Sequence, residues 1–299
     1  MLPTVRNKTT AREYWESNPN VMYIENTWTS NPLIAQRVYN KISGGNSSKH
    51  WLNWVLEDYF GHSFSHAICP GCGSGGHEIA MLKSGFVNKL DAFDFSRASI
   101  DLAINEATRE QLSGANFYVD NLNEFTLDEG VYDLACFTGS LHHTSNIEHC
   151  LEQIRWSLKT NGFIIVWEYV GPCYLLWRDE QIKYVNKILK LLPSEFKLDD
   201  AISLGRRSLA QQLNADPSEA VRSTIIPELL REYFDIEYEQ GCGGTILQPL
   251  YPLLNHQRLI QDDAATNSIL NLVIEYEDLL IESGVLGNDF RFFIGKKMS

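Results

Sequence analysis

The chain has 299 residues and a formal net charge of −13, with 44% hydrophobic and 21% charged residues. That charge repels phosphate backbones, and no window gathers lysine and arginine into a basic stripe, so composition argues against a nucleic-acid partner. No apolar run approaches the roughly 18 residues of a membrane span. Residues 1–20 are polar and lack the apolar stretch of a signal peptide, so the expectation is a cytoplasmic protein with no membrane partner.

Residues 1–62 carry Trp15, Trp28, Trp51 and Trp54. Segments 32–42 and 51–60 read as helices separated by the break at 44–48, and together they form an N-terminal helical cap. From Ser65 onward the pattern alternates. It predicts a strand over 66–70, a helix over 76–84 closed by Gly85, a strand over 90–93, and a helix capped by Ser96 and running to Ala107. Strands follow over 116–119 and 132–137. Ile147, Leu151, Ile154 and Leu158 recur at helical spacing, with Asn161-Gly162 expected to end that helix. Residues 163–170 are nearly all apolar, as suits a strand buried on both faces. Alternating strands and helices imply a parallel sheet.

Residues 171–215 read as an inserted helical lid with a helix near 180–192. Asp216-Pro217-Ser218-Glu219 is expected to open another helix, with its acids at the N-terminus and Pro227 breaking it. Strands over 236–239 and 290–294, joined by a helix around 269–281, complete the sheet within 216–299. The core proper is placed at 63–170. The fold class is α/β, a Rossmann-like seven-stranded sheet with helices on both faces.

The chemistry concentrates in Ile68-Cys69-Pro70-Gly71-Cys72-Gly73-Ser74-Gly75, followed 19 residues after its last glycine by Asp94. A strand, a glycine turn, a helix and a second strand ending in an acid make a nucleotide-type site. The glycines admit a ligand close to backbone N–H groups, and the carboxylate can hold ribose hydroxyls. Gly71-x-Gly73-x-Gly75 lacks the G-x-G-x-x-G form of dinucleotide enzymes and points to S-adenosylmethionine. Cys69 and Cys72 form a C-x-x-C, but no second such pair or paired histidine cluster completes a metal site, and no metal is expected. Together with Cys136, Cys150, Cys173 and Cys242 they do not suggest a disulfide framework in a chain of this size.

Four pieces in the right order carry a family resemblance: Gly71–Gly75, the strand ending at Asp94, Val119-Asp120-Asn121-Leu122, and Asp133-Leu134 with Leu141-His142-His143. On these the chain resembles class I S-adenosylmethionine-dependent methyltransferases. It is also similar to a bacterial subgroup with Glu168-Tyr169-Val170-Gly171-Pro172, Asp216-Pro217-Ser218-Glu219-Ala220-Val221-Arg222-Ser223 and Gly243-Gly244-Thr245, so the resemblance covers most of the chain. It implies that Gly71, Gly73 and Gly75 underlie the methionine part of S-adenosyl-L-methionine and that Asp94 takes the ribose hydroxyls. It further implies that Phe95, Asp120, Asn121, Leu122 and Phe137 surround the rest of the cofactor. One position departs: the family usually has an acid two residues before the first glycine, and here stands Cys69.

The resemblance also implies the acceptor side. His142 is the favoured general base, with His143 as the alternative. Tyr14 and Tyr23 are candidates for a tyrosine latched to that histidine. Glu168 is placed at the rim as a catalytic carboxylate, Tyr169 as a substrate contact, and Arg222 as a clamp for an anionic group. Trp15, Trp28 and Trp177 are candidate pocket walls. The expected reaction is methyl transfer to a hydroxyl or carboxylate oxygen of a small molecule, sugar or peptide-like natural product. The segment Phe137-Thr138-Gly139-Ser140 lacks the N/D-P-P-Y/F tetrapeptide of amino-methylating nucleic-acid enzymes. N-methylation of a small amine, a non-catalytic cofactor-binding protein and a nicotinamide oxidoreductase are the alternatives, and a homodimer is left open.

Overall fold

The computed structural model describes residues 10–19, 27–198, 201 and 203–298. Its strands are β1 (Phe64–Pro70), β2 (Val87–Asp94), β3 (Ala115–Val119), β4 (Tyr132–Thr138), β5 (Leu158–Tyr169), β6 (Phe234–Gly243) and β7 (Phe290–Lys297). The helices, in chain order, are α1 (Ala11–Ser17), α2 (Pro32–Ile42), α3 (Trp51–Trp54), α4 (Gly76–Lys83), α5 (Arg97–Arg109), α6 (Ile147–Ser157), α7 (Asp179–Leu191), α8 (Leu209–Ala215) and α9 (Ile226–Tyr233). Two short helices, α10 (Leu247–Leu250) and α11 (His256–Leu259), precede the long α12 (Ala264–Glu282).

The strands form one sheet in the order β3-β2-β1-β4-β5-β7-β6. β1 to β5 pair in parallel, and β7 inserts antiparallel between β5 and β6. The order therefore reverses between β1 and β4. A cleft opens at such a reversal, outside the carboxyl ends of the strands, because successive crossovers leave to opposite sides. This places the candidate site before any side chain is considered.

Period-two alternation sorts the strand residues onto two cores. Ala67, Cys69, Leu134, Cys136, Ile165, Phe292 and Ile294 face one layer, with Ile79 and Met81 of α4 and Ile100 and Ala103 of α5. Ile68, Ala135, Phe137, Ile164, Val166 and Phe293 face the other, against Ile147, Leu151 and Ile154 of α6 and Ile226 and Leu230 of α9. Because β4 and β5 are covered on both faces, they read as continuous apolar runs. Ser96 caps α5 as expected, its hydroxyl accepting from the N–H of Ser99 at 3.2 Å.

Three expectations are corrected. α6 stops at Ser157, and the chain is already extended at buried Leu158. Asn161-Gly162 therefore lies inside β5, where the ladder with β4 shifts register between Tyr132 and Leu134. Asp216 follows α8 rather than opening a helix. Its Oδ1 accepts from the N–H of Ser218 at 2.8 Å, a local turn that competes with helix formation, and Ala220 sits at φ 52°. The next regular helix is α9. Pro227 lies in its first turn, where the missing N–H has no helical partner to lose. Among the described residues, no helix is long and apolar enough to cross a membrane.

Candidate functional site

The glycine turn closes β1 onto its neighbours. The N–H groups of Gly71 and Cys72 donate to the Phe93 carbonyl at 2.7 and 3.0 Å, and the Ser140 hydroxyl donates to the Pro70 carbonyl at 2.9 Å. Gly71 has φ 69°, and a Cβ there would meet the Ser140 Cβ at 2.6 Å and Leu122 Cδ1 at 3.2 Å. Leu122 thus lies over the turn. Gly73 has φ 53° and nothing within 4 Å of where a Cβ would stand, so its backbone is open to a ligand.

Asp94 ends β2 beside this turn. Its carboxylate accepts from the Gly73 N–H at 3.0 Å and the Ser96 N–H at 2.9 Å. Burial raises its pKa, and these two backbone bonds work against that rise. A carboxylate offers about four lone-pair positions, and these backbone bonds do not use all of them, so acceptor capacity remains for a ribose hydroxyl. Asp120 is next along the rim: its N–H donates to the Asp94 carbonyl at 3.2 Å, and its Oδ1 accepts from the N–H of Asn121 at 2.7 Å. Phe95 is half-buried, with the Arg12 guanidinium 5.6 Å over its ring and bonded to its carbonyl at 2.9 Å. The steric room at Gly73 and the Asp94 and Asp120 carboxylates form a fitting cradle and acceptor set for an adenosyl group.

The second half of the site follows β4. Leu141–His143 form a single 3-10 turn, with His142 buried and His143 half-buried. Glu168, at the end of β5, is fully buried directly behind it. Its carboxylate accepts from the N–H groups of Ser140 (3.0 Å), Leu141 (2.7 Å) and Tyr169 (2.9 Å) and binds His142 Nδ1. The opposite ring nitrogen, Nε2, lies 3.5 Å from Glu219 Oε1. Burial alone would push the imidazole down, but Glu168, Glu219 and Asp216 outweigh it and raise the His142 pKa to about 9. Burial and the positive His142 hold His143 neutral, well below its ordinary value. Its Nδ1 lies 3.2 Å from the Ser218 carbonyl. Burial raises the pKa of both Asp216 and Glu219, and Asp216 Oδ2 is buried with no hydrogen-bond partner among the described residues. Donor atoms of His142, His143 and Glu219 lie within 4.8 Å of one another, close enough for a single cation; a proton on His142 balances part of the same charge.

Helix α1 bridges the two halves. Glu16 accepts from the first N–H groups of α5, those of Arg97 and Ala98, at 2.8 and 3.0 Å. Trp15 stands edge-on to His143 at 5.0 Å, and its indole N–H donates to the Ser218 hydroxyl at 3.2 Å. Tyr14 is half-buried, its pKa raised by burial and by the negative charges of Asp216 and Glu219. It stands near the cluster. Tyr23 lies outside the described residues.

Several candidates stand elsewhere than the sequence reading placed them. Glu168 sits beneath the rim, because three bonds to the turn after β4 and one from the Tyr169 N–H consume its oxygens. Phe137 is fully buried, its ring among the apolar residues of β4 rather than on the cleft. Tyr169 is 2% exposed, and its hydroxyl donates to the Pro172 carbonyl at 3.1 Å. Trp28 packs against Phe290 at 5.1 Å in the core. Arg222 is committed to a bidentate pair with Glu148 at 2.6 and 2.7 Å and to the Ser145 carbonyl, so it has no free edge for an anionic substrate. The pair is about a third exposed and screened. Arg222→Ala is expected to cost under about 1 kcal/mol in chemical unfolding and to leave turnover unchanged.

The acids that face His142, Asp216 and Glu219, read in the sequence as a helix start. Their signal was an acid on each side of Pro217-Ser218, a spacing that a tight turn brings together on one side. Glu78 was also missed, since an acid in the first turn of a helix ordinarily faces solvent.

A family profile described as "Methyltransferase domain" matches residues 64–219, just over half of the chain. Among solved structures, a phosphoethanolamine N-methyltransferase 2 from Haemonchus contortus with S-adenosyl-L-methionine is similar at TM-score 0.55 and 14% identity, over 98% of this chain and 61% of that one. The cyclase SpnF is similar at TM-score 0.51 and 15% identity, over 98% of both chains. A curated polyketide synthase of Pyricularia oryzae, the highly reducing NEC1, is 29% identical over 115 residues; these are 36% of this chain, which spans 4% of that protein. The match over residues 64–219 places the chain in the methyltransferase-domain family, and the open glycine turn with the acid ending β2 suits S-adenosylmethionine as its cofactor.

Proposed function

We propose that this protein methylates a hydroxyl oxygen of a small molecule, sugar or peptide-like acceptor, with the Glu168–His142 pair receiving the hydroxyl's proton. One observation carries this reading: His142 has Nδ1 fixed by a fully buried carboxylate, while Nε2 points toward the side lined by Glu219. An imidazole fixed at one nitrogen and available at the other suits proton transfer in a set direction. The bound cofactor supplies an electrophilic methyl group. Asp94 and Asp120 hold its nucleoside end, the 141–143 turn presents His142, and α1 keeps water from the cleft. The acceptor atom must come within about 3–3.5 Å of the methyl.

The charge of the cluster narrows the acceptor. Glu168, Glu219 and Asp216 surround one imidazole, so a carboxylate acceptor meets repulsion, and a hydroxyl is favoured over it. The same charge gives a second reading its support: a small amine is attracted as its ammonium form and methylated on nitrogen. A structural neighbour methylates phosphoethanolamine on nitrogen, and another is a cyclase, so the fold alone does not choose.

Acceptor panels of phenols and alcohols, amines and carboxylic acids, assayed by S-adenosylhomocysteine release from pH 6 to 10, separate these readings. Hydroxyl acceptors are expected to turn over. Their rate should rise about tenfold per pH unit and level off near pH 9, because His142 acts only when deprotonated. The stability sign runs the other way. The charged imidazole is stabilised in the fold, and that contribution is present below about pH 6.5 and fades as pH climbs toward 9. A flat rate profile with hydroxyl acceptors removes the base role, and turnover confined to amines selects the second reading.

A further inference from the structure

Among the described residues, six carboxyl side chains are buried: Glu78, Glu168, Asp216, Glu277, Asp278 and Asp289. Five have partners. Glu168 binds His142 and three N–H groups; Asp216 binds Ser218. Glu277 accepts from Gly244, Ile246 and Leu247, Asp278 pairs with Arg37 and Lys41, and Asp289 accepts from Gln181. Glu78 is 3% exposed and, among the described residues, has no ion pair and no partner beyond its own backbone N–H. An unpaired buried carboxylate is costly unless something neutralises it.

Among the described residues, no cation faces it. The groups that act on it come from the glycine turn and three strands: Cys69 of β1, Cys72, Asp94 of β2 and Cys136 of β4. The three thiols are pushed up by burial and stay neutral, and Asp94 is a second acid. Glu78 stands in the first turn of α4, directly after the turn that carries the open Gly73.

The sheet order shows what passes over this spot. Asp94 and Asp120 end β2 and β3, while His142 follows β4; β1 lies between them. A cofactor with its nucleoside at β2–β3 and its reacting centre beside His142 must lay its amino-acid end across the carboxyl end of β1. That end bears an α-ammonium group.

We propose that Glu78 is the anionic seat for the ammonium group of S-adenosylmethionine, reached from the first turn of α4 because β1 offers only the thiol of Cys69. The inference rests on the cofactor placement given above. Burial raises the free Glu78 pKa to about 8, so it is largely protonated near pH 7. Binding the cation ionises it and releases a proton, and affinity therefore strengthens as pH approaches 8.

Calorimetry with S-adenosylhomocysteine and with 5′-methylthioadenosine, which lacks the amino-acid end, tests this on the full chain. Glu78→Gln is expected to weaken S-adenosylhomocysteine at least about tenfold and to leave 5′-methylthioadenosine within about twofold. Adding Cys69→Asp to Glu78→Gln should restore much of the loss. Wild-type titrations at pH 7 in two buffers of different ionisation enthalpy should show release of close to one proton with S-adenosylhomocysteine and none with 5′-methylthioadenosine. This readout needs no variant to fold. Equal weakening of both ligands, or no proton released by the wild type, overturns the seat while the nucleoside placement stands. Wild type that binds neither ligand overturns the placement, and the inference with it.

Discussion

Replacing His142 with alanine is expected to lower turnover by about 10²–10⁴-fold, while affinity for S-adenosylhomocysteine stays within about twofold. The two quantities separate because His142 and the nucleoside-holding residues lie on opposite sides of β1. Removing the imidazole strips Glu168 of one partner, but its bonds to the N–H groups of Ser140, Leu141 and Tyr169 keep the 141–143 turn in place. The cofactor half is untouched. Single-turnover rates with the true acceptor and binding of S-adenosylhomocysteine measure the two effects independently. Equal loss of both would mean that the turn had collapsed, and unchanged turnover would leave the reaction to positioning alone. Glu168→Gln supplies the control: the turn keeps an acceptor oxygen, the imidazole loses its strongest charge partner, and the rising limb of the rate profile should move to lower pH.

Asp94→Asn is expected to weaken S-adenosylhomocysteine by about 10- to 100-fold, the range for a lost charge-assisted hydrogen bond of roughly 1.5–3 kcal/mol. Asparagine retains one oxygen for the Gly73 or Ser96 N–H, so the glycine turn and the start of α5 persist and the loss reports on the ribose. Isothermal titration measures it, and circular dichroism confirms that the variant is folded. Affinity within about twofold of wild type would place the ribose elsewhere on the rim.

Most of the sheet was legible because buried strands leave a strong mark. The apolar run of β5 and the helical spacing of Ile147, Leu151 and Ile154 locate their elements within a few residues. The cofactor half was legible for a related reason: a turn such as that at Gly71, where a Cβ would strike Ser140, leaves glycines at fixed spacing. The acceptor half was harder to read. Glu168 looks like a rim residue in sequence, and only the 3-10 turn behind β4 shows that it faces inward. Asp216 and Glu219 have the composition of a helix start, and the Asx-type turn through Ser218 redirects them. Arg222 finds Glu148 across 74 residues, and no local pattern encodes that pairing. Tertiary contact, rather than propensity, decided each of these.

The placement of β7 bears on how the molecule is made. During synthesis β5 emerges before β6, yet in space they are separated by a strand that emerges after both. Until residues 290–297 leave the ribosome, the nascent chain must carry an apolar strand edge along β5 with no neighbour to hydrogen-bond it, the kind of edge that recruits other chains. Glu168 stands opposite Arg291 in that final pairing. The support beneath His142 takes its register from β4 on one side, through Thr138 opposite Trp167, and gains its second flank only when the last strand docks; a chain stopped short of it would expose an adhesive edge as well as lack the completed sheet.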